Sequence, residues 1–351
     1  MGDAAASGVN RMPPMQRDRS TAGLANQAPP TFFCPLAPAG WRQRTAPLLA
    51  LALGLTLLAP GLQAQTTEAR AATVPSRSVL SAAADTGADE PCTEFVARLP
   101  NVKSLLCNAA QLKPTEGRSV QGRTLWSRDV VAPDAKIRVL VVGAMHGDEL
   151  SSAAVALHWI QRAVETPSNA HWRFIPALNP DGLMARPARR TNINGVDLNR
   201  NFPTPNWKRD AKVYWEDRTK KDPRRWPGPA PLSEPESKYL HDEMARFQPD
   251  LIVSIHAPYG MLDFDGPTVP PARLGRLYLD QIGIFPGSLG NFGGVHKGMP
   301  VVTIELNSAI RTPLDAEMRQ MWLDLLRWMS ERVVPEQPAK NPMPVKMKKS
   351  G

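Results

Sequence analysis

His146 and Glu149 stand three apart in His146-Gly-Asp-Glu149, directly after the β-rich run Ile137–Ala144 and ahead of a stretch that reads as a helix. A pair set between a strand end and a helix start can aim an imidazole and a carboxylate at one point, and both are good zinc ligands. The spacing alone is a weak signal, because His-x-x-Glu is common by chance. A second strand-like run, Leu251–Ile255, is followed by His256, and sites in open α/β sheets gather at the carboxyl ends of strands. Three protein ligands leave a fourth position for water, which marks a catalytic rather than a structural zinc. A third run, Val301–Ile304, finishes in Glu305. A carboxylate there is either salt-bridged to an arginine or a general base acting on metal-activated water.

Asn179-Pro-Asp-Gly182 and the stretch from Arg190 to Pro203 are dense in Arg, Asn and Asp. Such residues supply hydrogen-bond donors for a carboxylate or a developing oxyanion. On composition alone, a polar, turn-rich loop accounts for them better. His158, His171, His241 and His296 do not share the strand-end pattern and read as structural or surface residues.

Placing these groups together requires alternating elements. Leu150–Val164 reads as a helix and Trp172–Leu178 as a strand. Ser233-x-x-Glu236 reads as a capping box before a helix whose Leu240, Met244 and Phe247 share a face. Thr312-Pro313 starts a last helix with Leu314, Met318, Met321, Trp322, Leu325 and Met329 along one stripe. The pattern predicts a three-layer α/β/α sandwich around a mixed, largely parallel twisted sheet. Seven prolines between Pro203 and Pro235 predict a long ordered loop, and such loops tend to be functional.

The chain has 351 residues, 42% hydrophobic and 21% charged, which excludes a wholly disordered protein. Part of its +9 net charge sits in residues 1–64 and in a tail holding Lys340, Lys346, Lys348 and Lys349. The remaining excess is mild and does not argue for a nucleic-acid partner. Arg42 and Arg44 precede the apolar run Ala46–Leu62, which ends near Ala64 in the order of a secretory signal. Pro47, Gly54, Pro60 and Gly61 make the run a poor membrane span, so no stable span is expected after cleavage; a retained anchor is the alternative. The expected organisation is a disordered extension over 1–45, the signal's hydrophobic region over 46–64 and a linker over 65–90. A small segment over 91–132, a main domain over 133–334 and a basic disordered tail over 335–351 follow. Loss of Cys34 with the signal leaves Cys92 and Cys107, for which a disulfide is the natural reading in an exported chain and two free thiols the alternative.

In order, His146-x-x-Glu149, Arg190-x-Asn192, Gly195-Val-Asp-Leu-Asn-Arg-Asn-Phe202, His256 and Glu305 resemble the zinc carboxypeptidase family of the M14 type. Asn179-Pro-Asp-Gly182, Ser233-Glu-Pro-Glu236, Ser254-Ile-His256 and Pro286-Gly-Ser288 are similar to its branch of γ-D-glutamyl-meso-diaminopimelate amidases, and the likeness spans about residues 135–330. The resemblance implies one zinc ion held by His146, Glu149 and His256, with Asp197 accepting a hydrogen bond from His146. It further implies that Arg190 polarises the scissile carbonyl and that Asn199 and Arg200 hold a free substrate carboxylate. Glu305 would take a proton from water and pass it to the leaving amine. The partner would be a murein peptide, met in the periplasm or outside the cell by an exported bacterial enzyme.

A carboxypeptidase releasing C-terminal L-amino acids and a catalytically inactive cell-wall-binding protein are the alternatives. An N-acyl amino acid deacylase is disfavoured by the Gly195–Phe202 stretch, and Glu305 argues against the inactive protein. No tyrosine aligns with that of the digestive carboxypeptidases; Tyr259 and Tyr278 lie in the right interval without matching context. Asp263 and Asp265, in Leu262-Asp-Phe-Asp-Gly-Pro267, read as a turn or as partners for a diaminopimelate ammonium, and Ser288 as a pocket residue.

Overall fold

The computed structural model describes residues 91–166 and 168–333. The expected extension, export signal and linker over 1–90 and the tail over 335–351 lie outside the described residues. Two short helices, α1 (Pro91–Arg98) and α2 (Ser104–Ala109), come first. Cys92 and Cys107 form the expected disulfide, their Cα atoms 5.5 Å apart. Phe95, Leu99 and Val102 enter the main core, and Val96 and Leu106 pack on it. Leu105, on the same short helix, is 84% exposed, since so short a helix buries only one face.

Strands β1 (Lys113–Arg118) and β2 (Thr124–Val131) follow, pair antiparallel and join the same sheet as the strands after them. A boundary at residue 133 therefore divides nothing: the segment 91–132 supplies two strands of the main sheet. Neither strand is visible in the residue pattern, because β1 carries a proline, a glycine and charges and is mostly exposed.

The remaining elements are β3 (Ile137–Val142), α3 (Leu150–Glu165), β4 (Ala170–Ile175), α4 (Pro180–Met184), α5 (Trp207–Val213) and α6 (Pro235–Phe247). Then come β5 (Leu251–His256), β6 (Met261–Asp265), the short β7 (Arg273–Leu274) and β8 (Leu277–Tyr278), β9 (Val301–Glu305) and α7 (Asp315–Arg332). The seven-stranded sheet runs β1-β2-β4-β3-β5-β9-β6. Its four central strands, β4, β3, β5 and β9, are parallel, while β2 and β6 flank them antiparallel and β1 pairs antiparallel with β2. The central strands are buried on both sides, hence their near-continuous apolar runs. On one face α3 and α7 pack through Trp159 and Trp322, and Trp322 also meets Trp172 of β4. On the other, Leu240, Met244 and Phe247 of α6 pack against Leu140 and Ile252. The expected three layers are present.

Local start signals read less well. The helix expected to open with a Ser233–Glu236 capping box begins at Pro235 with no side-chain cap. Ser233 donates to the Glu234 carboxylate instead, and Glu236 accepts the N–H of Val120, 3.1 Å away. The last helix begins at Asp315 rather than Thr312, and Leu314 is 73% exposed, outside the buried stripe that Met318, Met321, Trp322, Leu325 and Met329 form. β4 ends at Ile175, before Pro176, short of the expected Leu178. Among the described residues no helix is long and apolar enough to cross a membrane.

The disulfide closes a loop with a sequence separation of 15. Replacing both cysteines by serine is expected to lower the unfolding free energy by about 3 kcal/mol in the chain-entropy picture. Urea unfolding of both forms, with and without reductant, measures this; coincident midpoints would refute it.

Candidate metal centre and active-site cleft

The parallel strands deliver their carboxyl ends to one edge. His256 closes β5 and Glu305 closes β9, and the two residues are register partners. His146 and Glu149 sit in the turn between β3 and α3, which is tied down from below. Ala144 N–H donates to Ser152 Oγ (2.9 Å), and Ser152 donates to the Glu149 carbonyl (2.6 Å). Asn179 N–H donates to the Ala144 carbonyl, and its side chain accepts Gly182 N–H, capping α4. A Cβ on Gly147 would collide with the backbone of Gly182, so only glycine permits this approach. Asn179-Pro-Asp-Gly182 is thus the floor beneath the His146 turn.

His146, Glu149 and His256 are all buried and offer one donor atom each within 4.8 Å of one another. His146 Nδ1 lies 2.8 Å from Glu149 Oε1, His256 Nδ1 lies 3.0 Å from Glu149 Oε2, and the two Nδ1 atoms are 3.1 Å apart. The outer nitrogens are spoken for. His146 Nε2 donates to Asp197 Oδ1 (3.1 Å), and His256 Nε2 meets Ser254 Oγ (2.9 Å). Since a carboxylate only accepts, His146 Nε2 carries the proton and its Nδ1 presents a lone pair inward. A tetrahedral zinc with nitrogen ligands at ~2.0–2.1 Å spaces them about 3.3–3.4 Å apart, close to these separations. Two imidazoles and a carboxylate facing one point fit a single zinc ion.

Charge reinforces the arrangement. Burial alone would raise the Glu149 carboxyl, but His146 and His256 outweigh it and hold it well below the usual carboxylate range. Asp197, fully buried, is likewise held low against its desolvation, here by Arg190 and His146. Arg190 Nη2 and Nε donate to Asp197 Oδ2 at 3.0 and 3.3 Å, and Nη1 reaches His146 Nδ1 at 3.2 Å. Nη1 is therefore available to the cleft whenever His146 Nδ1 is engaged elsewhere.

Glu305 is 7% exposed and, among the described residues, pairs with no arginine, so the salt-bridge reading of this residue fails. It accepts the Tyr259 N–H at 3.5 Å. Burial pushes its carboxyl above the ordinary glutamate range; His256 offsets part of this and Glu149 adds to it. Asn199 Oδ1 accepts Leu289 N–H (2.8 Å). Arg200, 4% exposed, donates to the Asn199 carbonyl (2.6 Å), and its guanidinium lies 4.5 Å from the Phe285 ring centre. A Cβ on Gly287 would collide with the Arg200 carbonyl, which explains the glycine in Pro286-Gly-Ser288.

One cleft holds His146, Glu149, His256, Arg190, Asn199, Arg200 and Glu305 along its wall, and Asp197 backs it from behind. Ser288 and Tyr259 also line it, whereas Tyr278 lies on β8 outside that lining. Asp263 and Asp265 are on β6 and not in a turn; both face the cleft. Residue spacing gives no hint of Arg224 in the proline-rich loop. Its side chain donates to Asp148 (2.8 Å) and its carbonyl accepts Arg190 Nε (3.2 Å), so this loop steadies Arg190. Such a contact joins segments with no shared periodicity, so no local pattern announces it.

Residues 108–264 match the family model described as zinc carboxypeptidase. Murein peptide amidase A of Escherichia coli is 37% identical over 149 residues, which cover 42% of this chain and 60% of that protein's length. Murein peptide amidase A of Vibrio campbellii is 30% identical over 203 residues, covering 56% of this chain and 79% of that protein. The crystal structure of carboxypeptidase A from Helicoverpa armigera shares the fold, with a TM-score of 0.51 at 18% identity over 66% of this chain and 72% of that one. With that sheet, a zinc-compatible His-Glu-His cluster at its edge and these relatives, the chain belongs to the zinc carboxypeptidase family.

Proposed function

We propose that this chain is a zinc-dependent amidase that hydrolyses the γ-D-glutamyl-meso-diaminopimelate bond of murein peptides. The observation that carries the reading is one cleft holding the His146–Glu149–His256 cluster, Glu305 and the buried Arg200. Its likeness to two murein peptide amidases supports this substrate class.

When bound, zinc would lower the pKa of a water molecule toward about 7 and polarise the scissile carbonyl. Glu305, the raised carboxylate facing that point, takes the proton from the attacking water and returns it to the leaving amine. Arg190 donates from Nη1 to the oxygen that gains negative charge, its other nitrogens being held by Asp197. Arg200 and Asn199 receive the free carboxylate of the leaving residue. Asp197 fixes the His146 tautomer and Arg190 together, one oxygen to each. Export to the periplasm is part of the reading: the run Ala46–Leu62 and the Cys92–Cys107 disulfide support it.

Incubation of the purified chain with L-Ala-γ-D-Glu-meso-diaminopimelate and with N-acylated α-dipeptides separates amidase from ordinary carboxypeptidase. Release of diaminopimelate is expected; cleavage of the dipeptides with the tripeptide left intact would overturn the amidase reading. A zinc chelator is expected to abolish turnover and added zinc to restore it. Glu305→Gln should retain stoichiometric zinc while kcat falls about 10²–10⁴-fold. Asp197→Asn should weaken zinc affinity about 10- to 100-fold, read by competition with a chelating dye.

A further inference from the structure

The proline-rich loop carries two tryptophans that the chemistry above does not use. Trp215 and Trp226 are both partly buried. With Arg189, Thr191 and Arg224 they line a second cavity of about 510 Å³, and Arg190 lines both this cavity and the catalytic cleft. The volume falls within the ~300–1,000 Å³ of small-molecule sites, which are largely apolar with a few placed polar groups.

Hydrogen bonds tie this cavity to the catalytic residues. The Trp226 carbonyl accepts Asp197 N–H (2.8 Å), and the Arg224 carbonyl accepts Arg190 Nε (3.2 Å). Trp215 Nε1 donates to the Asp222 carbonyl (2.8 Å), while the Trp215 carbonyl accepts Lys221 N–H (2.9 Å) and the Thr219 hydroxyl (2.6 Å). The polar edge of that indole is thus used within its own loop, and its face is the surface left to offer. A wall anchored in this way needs little ordering when a ligand arrives.

Arg190 is the residue assigned to the scissile carbonyl oxygen. The leaving residue's carboxylate goes to Asn199 and Arg200, and neither of them lines the second cavity. A group seated beyond Arg190 therefore belongs to the acyl half of the substrate. Among the described residues, the lining holds three arginines and no acid. Indole faces flanked by guanidinium donors suit a ring with apolar C–H faces and an oxygen-rich rim. A pyranose bearing an acetamido group is such a ring. In murein it carries the peptide stem through a lactyl group on the N-terminal alanine, which lies on the acyl side of the bond. We infer that the Trp215–Trp226 cavity is a subsite for the N-acetylated hexosamine at the acyl end of the substrate, so that sugar-bearing stem peptides are preferred over free ones. This rests on the amidase reading for which half of the substrate lies beyond Arg190.

Two substrates with the same scissile bond test it: the N-lactoyl and N-acetylmuramoyl forms of L-Ala-γ-D-Glu-meso-diaminopimelate, which differ only in the sugar ring. The native chain should favour the muramoyl form by about 10-fold in kcat/KM, chiefly through KM. Trp215→Leu and Trp226→Leu remove an aromatic face but keep apolar bulk, and should bring that ratio toward one; Trp215→Tyr should keep most of it. Calorimetry of the zinc-loaded chain with the acyl products, N-acetylmuramoyl-L-Ala-D-Glu and N-lactoyl-L-Ala-D-Glu, repeats the comparison without turnover, and zinc content reports folding of each variant. Equal kcat/KM for the two forms, or a preference that neither leucine variant lowers, would overturn the subsite and leave the amidase reading intact. If neither form is cleaved, yet the muramoyl product binds more tightly and loses that advantage in the leucine variants, the amidase reading fails while the subsite stands.

Discussion

Three electron-pair donors, all buried in the wall of the cleft, are forced to within about 3 Å of one another, and everything else at the sheet edge answers to that constraint. Side-chain type alone would not keep three buried polar groups turned toward one point. They are held because each has a second anchor. Asp197 takes the outer nitrogen of His146, Ser254 meets that of His256, and the turn carrying Glu149 is tied through Ser152 and laid on the Asn179–Gly182 backbone. A site prepared in this way for a divalent cation needs little rearrangement to bind one.

The sheet makes the convergence possible. Four parallel strands bring their carboxyl ends to one edge, and two of them end in residues of the site. The antiparallel edge strand β6 then extends the wall beyond Glu305. Charge along that wall is divided. Arg190 and Arg200 occupy one region, the two aspartates of β6 another, and the proline-rich loop closes over Arg190 through the Arg224 carbonyl. Positive and negative groups kept apart in one cleft favour ligands whose own charges are equally separated.

The site was more legible in the residues than the fold around it. His146, Glu149, His256 and Glu305 could be read because each ends or follows an apolar run, and their side-chain chemistry narrows the roles available to them. The central strands and main helices show for the same reason: a strand buried on both faces must be apolar nearly throughout. What escaped notice depends on partners remote in sequence. Strand β1 is polar and mostly exposed, β2 is mostly half-buried, and both join the main sheet through their pairing, which erased the boundary expected at residue 133. The Ser233–Glu236 box has the letters of a helix cap, but Glu236 is drawn away by Val120, more than a hundred positions distant. Asp263 and Asp265 resemble a turn until β9 is seen beside them.

By itself the residue order determined which groups exist, at which strand ends they fall, and that they are fit to hold zinc and move a proton. These are local matters, governed by side-chain type and by the periodicity of burial. Only the tertiary structure decided which of them meet. It placed Asp197 behind His146, gave Glu305 no arginine partner among the described residues, and turned two aspartates into the same cleft as Arg200. The reason is geometric. Contacts between segments depend on how strands are ordered and registered in a sheet, and no single segment carries that information.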